Sequence, residues 1–235
     1  GLCKDSGDGY YGWADMDRVF HADPVVVGTN EESLNDNGTT WMRLRKVRRN
    51  RFAVRCNATT DAVHWMAIEP GVHSIDGKLV MAGVAENIAS GGFVSFPASF
   101  NSAPVVLLMI DESTDDNGAT QVRTISTPGN TGFQIWADTT VERLNWVAFT
   151  QGIYYVERYR FQAGIFENPG SCTDPCSVAW PQTLNGAPGV ITTINDSNNN
   201  GATWSRHSDI TRTGYSWRWN AGDSEYLHWV SFIDE

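Results

Sequence analysis

One pattern occurs three times along the chain, and it limits the fold more than any other feature. It consists of an apolar run opened by Pro, a polar loop ending in Asn-Gly, a strand with a central Arg, an aromatic strand and a Trp. The first copy reads Pro24-Val-Val-Val, Asn37-Gly-Thr-Thr-Trp-Met-Arg43, Phe52-Ala-Val and His64-Trp65-Met-Ala. The second reads Pro104-Val-Val-Leu-Leu, Asn117-Gly-Ala-Thr-Gln-Val-Arg123, Gly132-Phe133-Gln-Ile and Asn145-Trp146-Val-Ala. The third reads Pro188-Gly-Val-Ile, Asn200-Gly-Ala-Thr-Trp-Ser-Arg206, Gly214-Tyr215-Ser-Trp and His228-Trp229-Val-Ser. Trp65, Trp146 and Trp229 fall 81 and 83 residues apart. A shorter block repeats as Ala82-Gly-Val-Ala-Glu-Asn and Ala163-Gly-Ile-Phe-Glu-Asn, with Gly1-Leu-Cys-Lys-Asp at the equivalent place in the first copy. The first copy lacks the lead-in Lys78-Leu-Val-Met of the second, a gap that a neighbour's strand could fill.

Each copy holds five or six short runs rich in Val, Ile, Thr and aromatic residues, separated by Gly, Asn, Pro and Ser clusters. That pattern predicts an all-β chain of three tandem antiparallel β-sandwiches, over residues 1–75, 76–156 and 157–235. Alternation along the aromatic strand turns Phe52, Val54 and Cys56 inward, with Phe133 and Ile135, and Tyr215 and Trp217, as counterparts. The Trp strand is apolar on both faces: Trp146 and Ala148 point one way, Val147 and Phe149 the other. Such a strand needs a second cover, so the copies are expected to pack on one another or on other chains. Residues 69–77 and 151–158 read as connectors.

A net charge of −10 and a pI near 4.9 argue against nucleic acid as a partner, because phosphate binding requires clustered cations. The basic stretch at residues 43–51 alternates with apolar residues and reads as a solvated strand edge, with an anion patch as the alternative. No apolar run approaches the roughly 18 residues of a membrane span, and the chain reads as a soluble, processed form. Cys3, Cys56, Cys172 and Cys176 lack zinc-site spacing, so disulfides suit them better than metal. Asn37, Asn57 and Asn195 open glycosylation sequons. Together these features point to secretion.

The second copy's run from Phe93-Val-Ser-Phe-Pro-Ala-Ser-Phe-Asn-Ser-Ala-Pro-Val-Val-Leu-Leu through Thr131-Gly-Phe to Leu144-Asn-Trp-Val-Ala resembles the H-type lectin domain, the fold of snail agglutinins and of the C-terminal part of discoidins. The first copy adds Cys3 before Gly12-Trp13, and Cys56 four residues after Phe52. The resemblance implies a six-stranded antiparallel sandwich, assembly in threes through parallel packing, and binding of N-acetylgalactosamine-type sugars at the edge of the assembly. It also implies a Cys3–Cys56 disulfide. Cys172 and Cys176 would then close a small loop private to the third copy, or bridge to another chain. The family's sugar-binding Arg falls on Thr39, Ala119 and Ala202, and its Trp-His pair on Thr59-Thr60, Thr140-Val141 and Gly222-Asp223, so neither element is kept.

Arg43, Arg123 and Arg206 share one column, with Trp41, Gln121 and Trp204 two residues earlier on the same face. A guanidinium beside an indole suits a sugar, a carboxylate or a subunit interface. Trp136 projects from the outward face of its strand, where Arg55 and Arg218 are its counterparts, as a sugar-stacking platform or an interface anchor. Asp196, Asn198, Asn200 and Gly201 imitate the start of a calcium loop, but its twelfth position is His207; no cofactor is expected. His64 and His228, with Asn145 in the same column, suit interface hydrogen bonds better than metal. No catalytic motif is found, which disfavours an enzyme. The reading is therefore a secreted, multivalent glycan-binding protein. The alternative is a structural subunit of a fibre, coat or tail-like appendage, self-associating as a threefold cluster or filament.

Overall fold

A computed structural model of the chain describes residues 4–5, 10–31, 41–57, 62–112, 119–167, 175–195, 205–219 and 226–234. The described residues are all-β. The first repeat supplies β1 (Lys4–Asp5), β2 (Tyr10–Asp15), β3 (Val25–Glu31), β4 (Met42–Arg48), β5 (Arg51–Cys56) and β6 (Ala62–Ile68). The second, counted from the hairpin strand that leads into it, supplies β7 (Gly71–Ile75), β8 (Lys78–Ile88), β9 (Phe93–Ser95), β10 (Val105–Asp111), β11 (Val122–Thr124), β12 (Gly132–Ala137) and β13 (Val141–Phe149). The third, counted in the same way, supplies β14 (Gly152–Val156), β15 (Tyr159–Glu167), β16 (Cys176–Ala179), β17 (Gly189–Asn195), β18 (Ser205–Ser208), β19 (Gly214–Trp219) and β20 (Tyr226–Asp234). No helix is long and apolar enough to cross a membrane among these residues.

The strands form three sheets, and each sheet draws on two repeats. Their orders are β1-β2-β5-β4-β10-β13-β8-β7, β14-β15-β20-β17-β11-β12-β9 and β16-β19-β18-β3-β6. The repeats are joined at parallel pairings: Leu44 with Asp111, Thr124 with Asn195, and His207 with Glu31. Leu44, Thr124 and His207 occupy one repeat position, and Glu31, Asp111 and Asn195 another. First joins second, second joins third, and third joins first, so the three seams close a ring with threefold pattern.

The doubly apolar strands explain the ring. On β13, Leu144, Trp146 and Ala148 enter a core within the second repeat, while Val147 and Phe149 enter a central core shared by all three repeats. On β20, Leu227 and Trp229 serve the third repeat's core, and Val230 the shared one. Phe52, Val54, Cys56, Phe133, Ile135, Tyr215 and Trp217 are all buried, as alternation predicts. Burying a large apolar side chain contributes about 1.5–3 kcal/mol, so strands apolar on both faces favour a shared core over separate beads.

Two sequence expectations need correction. Residues 69–77 and 151–158 are not simple connectors, because they contain β7 and β14, each pairing antiparallel with the strand that follows. Gly71-Val-His-Ser-Ile and Gly152-Ile-Tyr-Tyr-Val are strand-forming, and Asp76-Gly77 turns the first hairpin with positive φ at both residues. The basic stretch does not lie on a sheet edge either, since β4 sits between β5 and β10. A bulge at Arg45 shifts its register against β5, and Arg43 and Leu44 turn into the seam, where both are buried.

Candidate functional site

The polar groups inside the ring are arranged by repeat position. On the strand opened by the repeated Pro, which is Pro24, Pro104 and Pro188 in the three copies, Val26, Val106 and Val190 are equivalent. Each donates its backbone N–H to a side chain of the next repeat: Val26 to Asn145 Oδ1 at 3.3 Å, Val106 to His228 Nδ1 at 2.8 Å, and Val190 to His64 Nδ1 at 2.8 Å. The expected interface column is therefore a closed set of acceptors. An imidazole that accepts at Nδ1 carries its proton on Nε2, and His64 Nε2 lies 3.1 Å from Glu31 Oε2. His228 Nε2 lies 3.4 Å from the Asn195 amide nitrogen, while Asn195 Oδ1 has no partner. With the amide oxygen turned to the ring, His228 Nε2–H donates to Asn195 Oδ1. In the second repeat Asn145 bears on the Asp111 carboxyl, but Asn145 Nδ2 and Asp111 Oδ1 make no bond of ordinary geometry.

A second polar layer follows two residues on. Leu108 N–H donates to Thr193 Oγ1 at 2.9 Å, and Thr192 N–H to Thr29 Oγ1 at 2.8 Å. The third position is Met109, which has no hydroxyl, so this layer is closed on two sides only. Gly28, Thr29, Leu108, Met109, Thr192 and Thr193 floor a cavity of about 90 Å³ whose rim includes Trp41 and Gln121. Polar walls and that volume suit a few ordered waters.

The seams bury charge. Arg43 is 2% exposed; its Nη1 donates to Ala119 O of the second repeat at 3.4 Å, and its guanidinium lies 5.2 Å from the Trp41 ring. Arg123 is 1% exposed beneath Trp136, at 4.4 Å from that ring. Both indoles are half-buried covers over a buried cation. Glu112 donates its N–H to Leu44 O at 3.0 Å and accepts from Glu142 N–H at 3.1 Å. Burial raises the carboxyls of Asp111 and Glu112, opposed in Asp111 by Arg143 and in Glu112 by the Glu142 N–H and by Arg43. At the third seam His207 is buried, with its ring 5.2 Å from that of His64 and no hydrogen bond to either of its nitrogens. Burial, then the charge of His64, holds His207 well below its usual range.

Cys56 and Cys176 are both disulfide-bonded, while Cys3 and Cys172 lie outside the described residues. So do Asn37, Trp204 and the side chain of Arg206, together with the residues at 196–201 of the calcium-like loop. Among the described residues no cluster of His, Cys, Asp and Glu could hold a metal. Asn57 is exposed, and its Oδ1 accepts from Trp41 N–H at 3.2 Å. Asn195 is 1% exposed inside β17 with its amide against His228, a position that leaves no room for a glycan.

Sequence reasoning singled out the His64, Asn145 and His228 column but not the threonine layer, whose signal is a hydroxyl recurring within otherwise apolar strands. It also passed over Trp13 as a site. That indole is 49% exposed, and the Arg51 guanidinium lies 4.6 Å from its ring. Comparison with protein-family models, with curated proteins and with solved structures gave no match.

Proposed function

We propose that the chain is a secreted, lectin-like protein that presents three related faces to glycans, each repeat being a six-stranded sandwich of the H-type lectin kind. The observation that carries this reading is the closed ring: three seams of the same construction set the outer strands of three repeats in cyclic order within one chain. The family that the repeats resemble builds such a cluster from separate subunits. Three weak contacts on one rigid body reinforce each other through effective concentration. Trp13, backed by Arg51, is the most exposed indole among the described residues and supplies a stacking surface for a sugar ring.

The test is a glycan array probed with disulfide-intact protein, with and without calcium. Saturable binding that weakens in Trp13→Ala, with the fold unchanged by circular dichroism, supports the reading; a blank array removes it. A second reading is a structural subunit of an extracellular fibre, coat or tail-like appendage. It is favoured by exposed Val19 and Val72 and by a half-buried β6 at the end of its sheet. Light scattering that finds a monomer at high concentration argues against it.

A further inference from the structure

Strands β2, β5 and β4 turn one face to solvent, and in the first repeat that face is basic. Trp13 and Lys46 both lie opposite Ala53; in the next row Asp15 and Arg48 both lie opposite Arg51. Paired residues share a face with their Cβ atoms about 4.5–5.5 Å apart, and residues two apart on a strand are about 6.7 Å apart. Lys46, Arg48 and Arg51 are thus three exposed cations on adjoining positions beside an indole that is 49% exposed. Among the described residues none of the three forms an ion pair. Asp15 faces Arg51 without bonding to it, and Arg48 acts on the buried Asp111 only through space. Arg45 and Arg55, close by, have partners of their own.

The fold does not require this charge. Counted from the equivalent Phe52, Phe133 and Tyr215, the position of Arg51 is held by Gly132 and Gly214 in the other repeats. Ser208 pairs with Ser216 as Lys46 does with Ala53. The matching face is also open where the other repeats carry it: Phe93, opposite Gln134 as Trp13 is opposite Ala53, is 55% exposed, and Ser177, opposite Ser216, is exposed. It is therefore an outer surface in all three copies, and at the Arg51 position the first copy alone is charged. Like charges directly opposite each other weaken a sheet, and Arg48 and Arg51 are such a pair. A feature that costs the fold stability, and that one copy in three carries, is accounted for by an anion bound across it.

We infer that this face of the first repeat binds an anionic polysaccharide, with its sulfate or carboxylate groups on Lys46, Arg48 and Arg51 and a sugar ring stacked on Trp13. Each guanidinium offers a planar fork to an anionic group, and the ammonium adds a point charge. The Arg51 guanidinium lies 4.6 Å from the Trp13 ring, which joins the stacking surface to the charges. Three cations on a chain of net charge −10 are too few to hold a nucleic-acid tract, which needs an extended basic surface. The inference rests on the glycan reading and names the class of glycan.

The test is calorimetry of the intact chain with dextran sulfate, polygalacturonate and neutral dextran. At low salt at least one polyanion should bind saturably and dextran at least about tenfold more weakly, with the attraction screened as salt is added. Whichever polyanion binds more tightly shows whether sulfate or carboxylate is read. Arg48→Gln and Arg51→Gln should each weaken that binding about fivefold, the effect of losing one hydrogen-bonded charge. Arg212→Gln, the same charge change at an exposed position of the third repeat, should leave it unchanged. Urea midpoints should hold in all three variants, since each side chain is exposed. Three results overturn the site: dextran bound as tightly as the polyanions, an equal loss in Arg212→Gln, or no binding of either polyanion. Dextran binding that is lost in Trp13→Ala would keep the glycan reading and defeat this one, whereas silence from all three polymers together with a blank array removes both.

Discussion

The backbone N–H of Val106 donates 2.8 Å to Nδ1 of His228, across the seam between the second and third repeats. His228 is fully buried, and the bond requires its Nδ1 lone pair. Asn145 does the same work for Val26 with an amide oxygen. His228→Asn should therefore retain an acceptor and cost less than about 1.5 kcal/mol, within the range of a tolerated core exchange. His228→Ala should cost about 3 kcal/mol, because it leaves a buried donor unpaired beside a cavity. Urea unfolding of the two variants decides the point, and equal losses would remove the acceptor role.

The same bond sets an acid limit. Burial pushes His228 down to about 3, and His207 is also held well below its usual range. In the unfolded chain both take up protons near pH 6.5, while the fold excludes them, so their contribution is complete above that pH and declines as pH falls. The slope steepens as pH falls from 6.5 towards its limit of one proton per histidine, and that of His228 ends near the pH at which the folded protein itself protonates. Asp111 and Glu112 act with the opposite sign, because their raised carboxyls bind protons in the fold first. Urea midpoints from pH 7.5 to 4.5 should fall with acid, and about half as steeply in His228→Asn. A flat profile contradicts the assignment.

His207 is a polar side chain where its counterpart in the first repeat, Leu44, is fully buried and apolar. Neither of its ring nitrogens has a hydrogen-bond partner, and burying unpaired polar atoms costs stability. His207→Leu should raise stability at pH 7 by about 1–2 kcal/mol and by more at pH 5.5, where the histidine also resists protonation. Thermal unfolding at the two pH values measures both terms, and a destabilised variant would show that the imidazole is needed at that seam.

The strands and the doubly covered Trp strand were legible because they leave local signals: period-two alternation in Phe52, Val54 and Cys56, and apolar residues on both faces around Trp146. The cyclic sharing of sheets was not legible, since a single parallel pairing such as Leu44 with Asp111 joins residues far apart in the chain and marks neither with a motif. β7 and β14 were missed because Gly71 and Gly152, with the Asp76-Gly77 turn, resemble linker chemistry over so short a span. The Arg column was found, but alternation gives only a shared face. It does not reveal that the face is closed over by the next repeat.

Arg43 tests what that closure means. Its guanidinium lies under Trp41, donates to Ala119 O of the neighbouring repeat, and offsets the buried Glu112 carboxyl. Truncation leaves that carbonyl without this donor and the carboxyl without a cation that offsets its charge, as in other buried networks broken from one side. Arg43→Ala should lose about 2–4 kcal/mol in urea unfolding. Arg43→Lys should recover part of the loss, since a lysine keeps the charge but not the planar fork that lies beneath the indole. Glycan binding per folded molecule should be unchanged, because a side chain 2% exposed presents almost nothing to a ligand. If binding falls while the unfolding midpoint holds, Arg43 is a ligand residue reached by opening the Trp41 cover, and the seam is a recognition site rather than a joint between repeats.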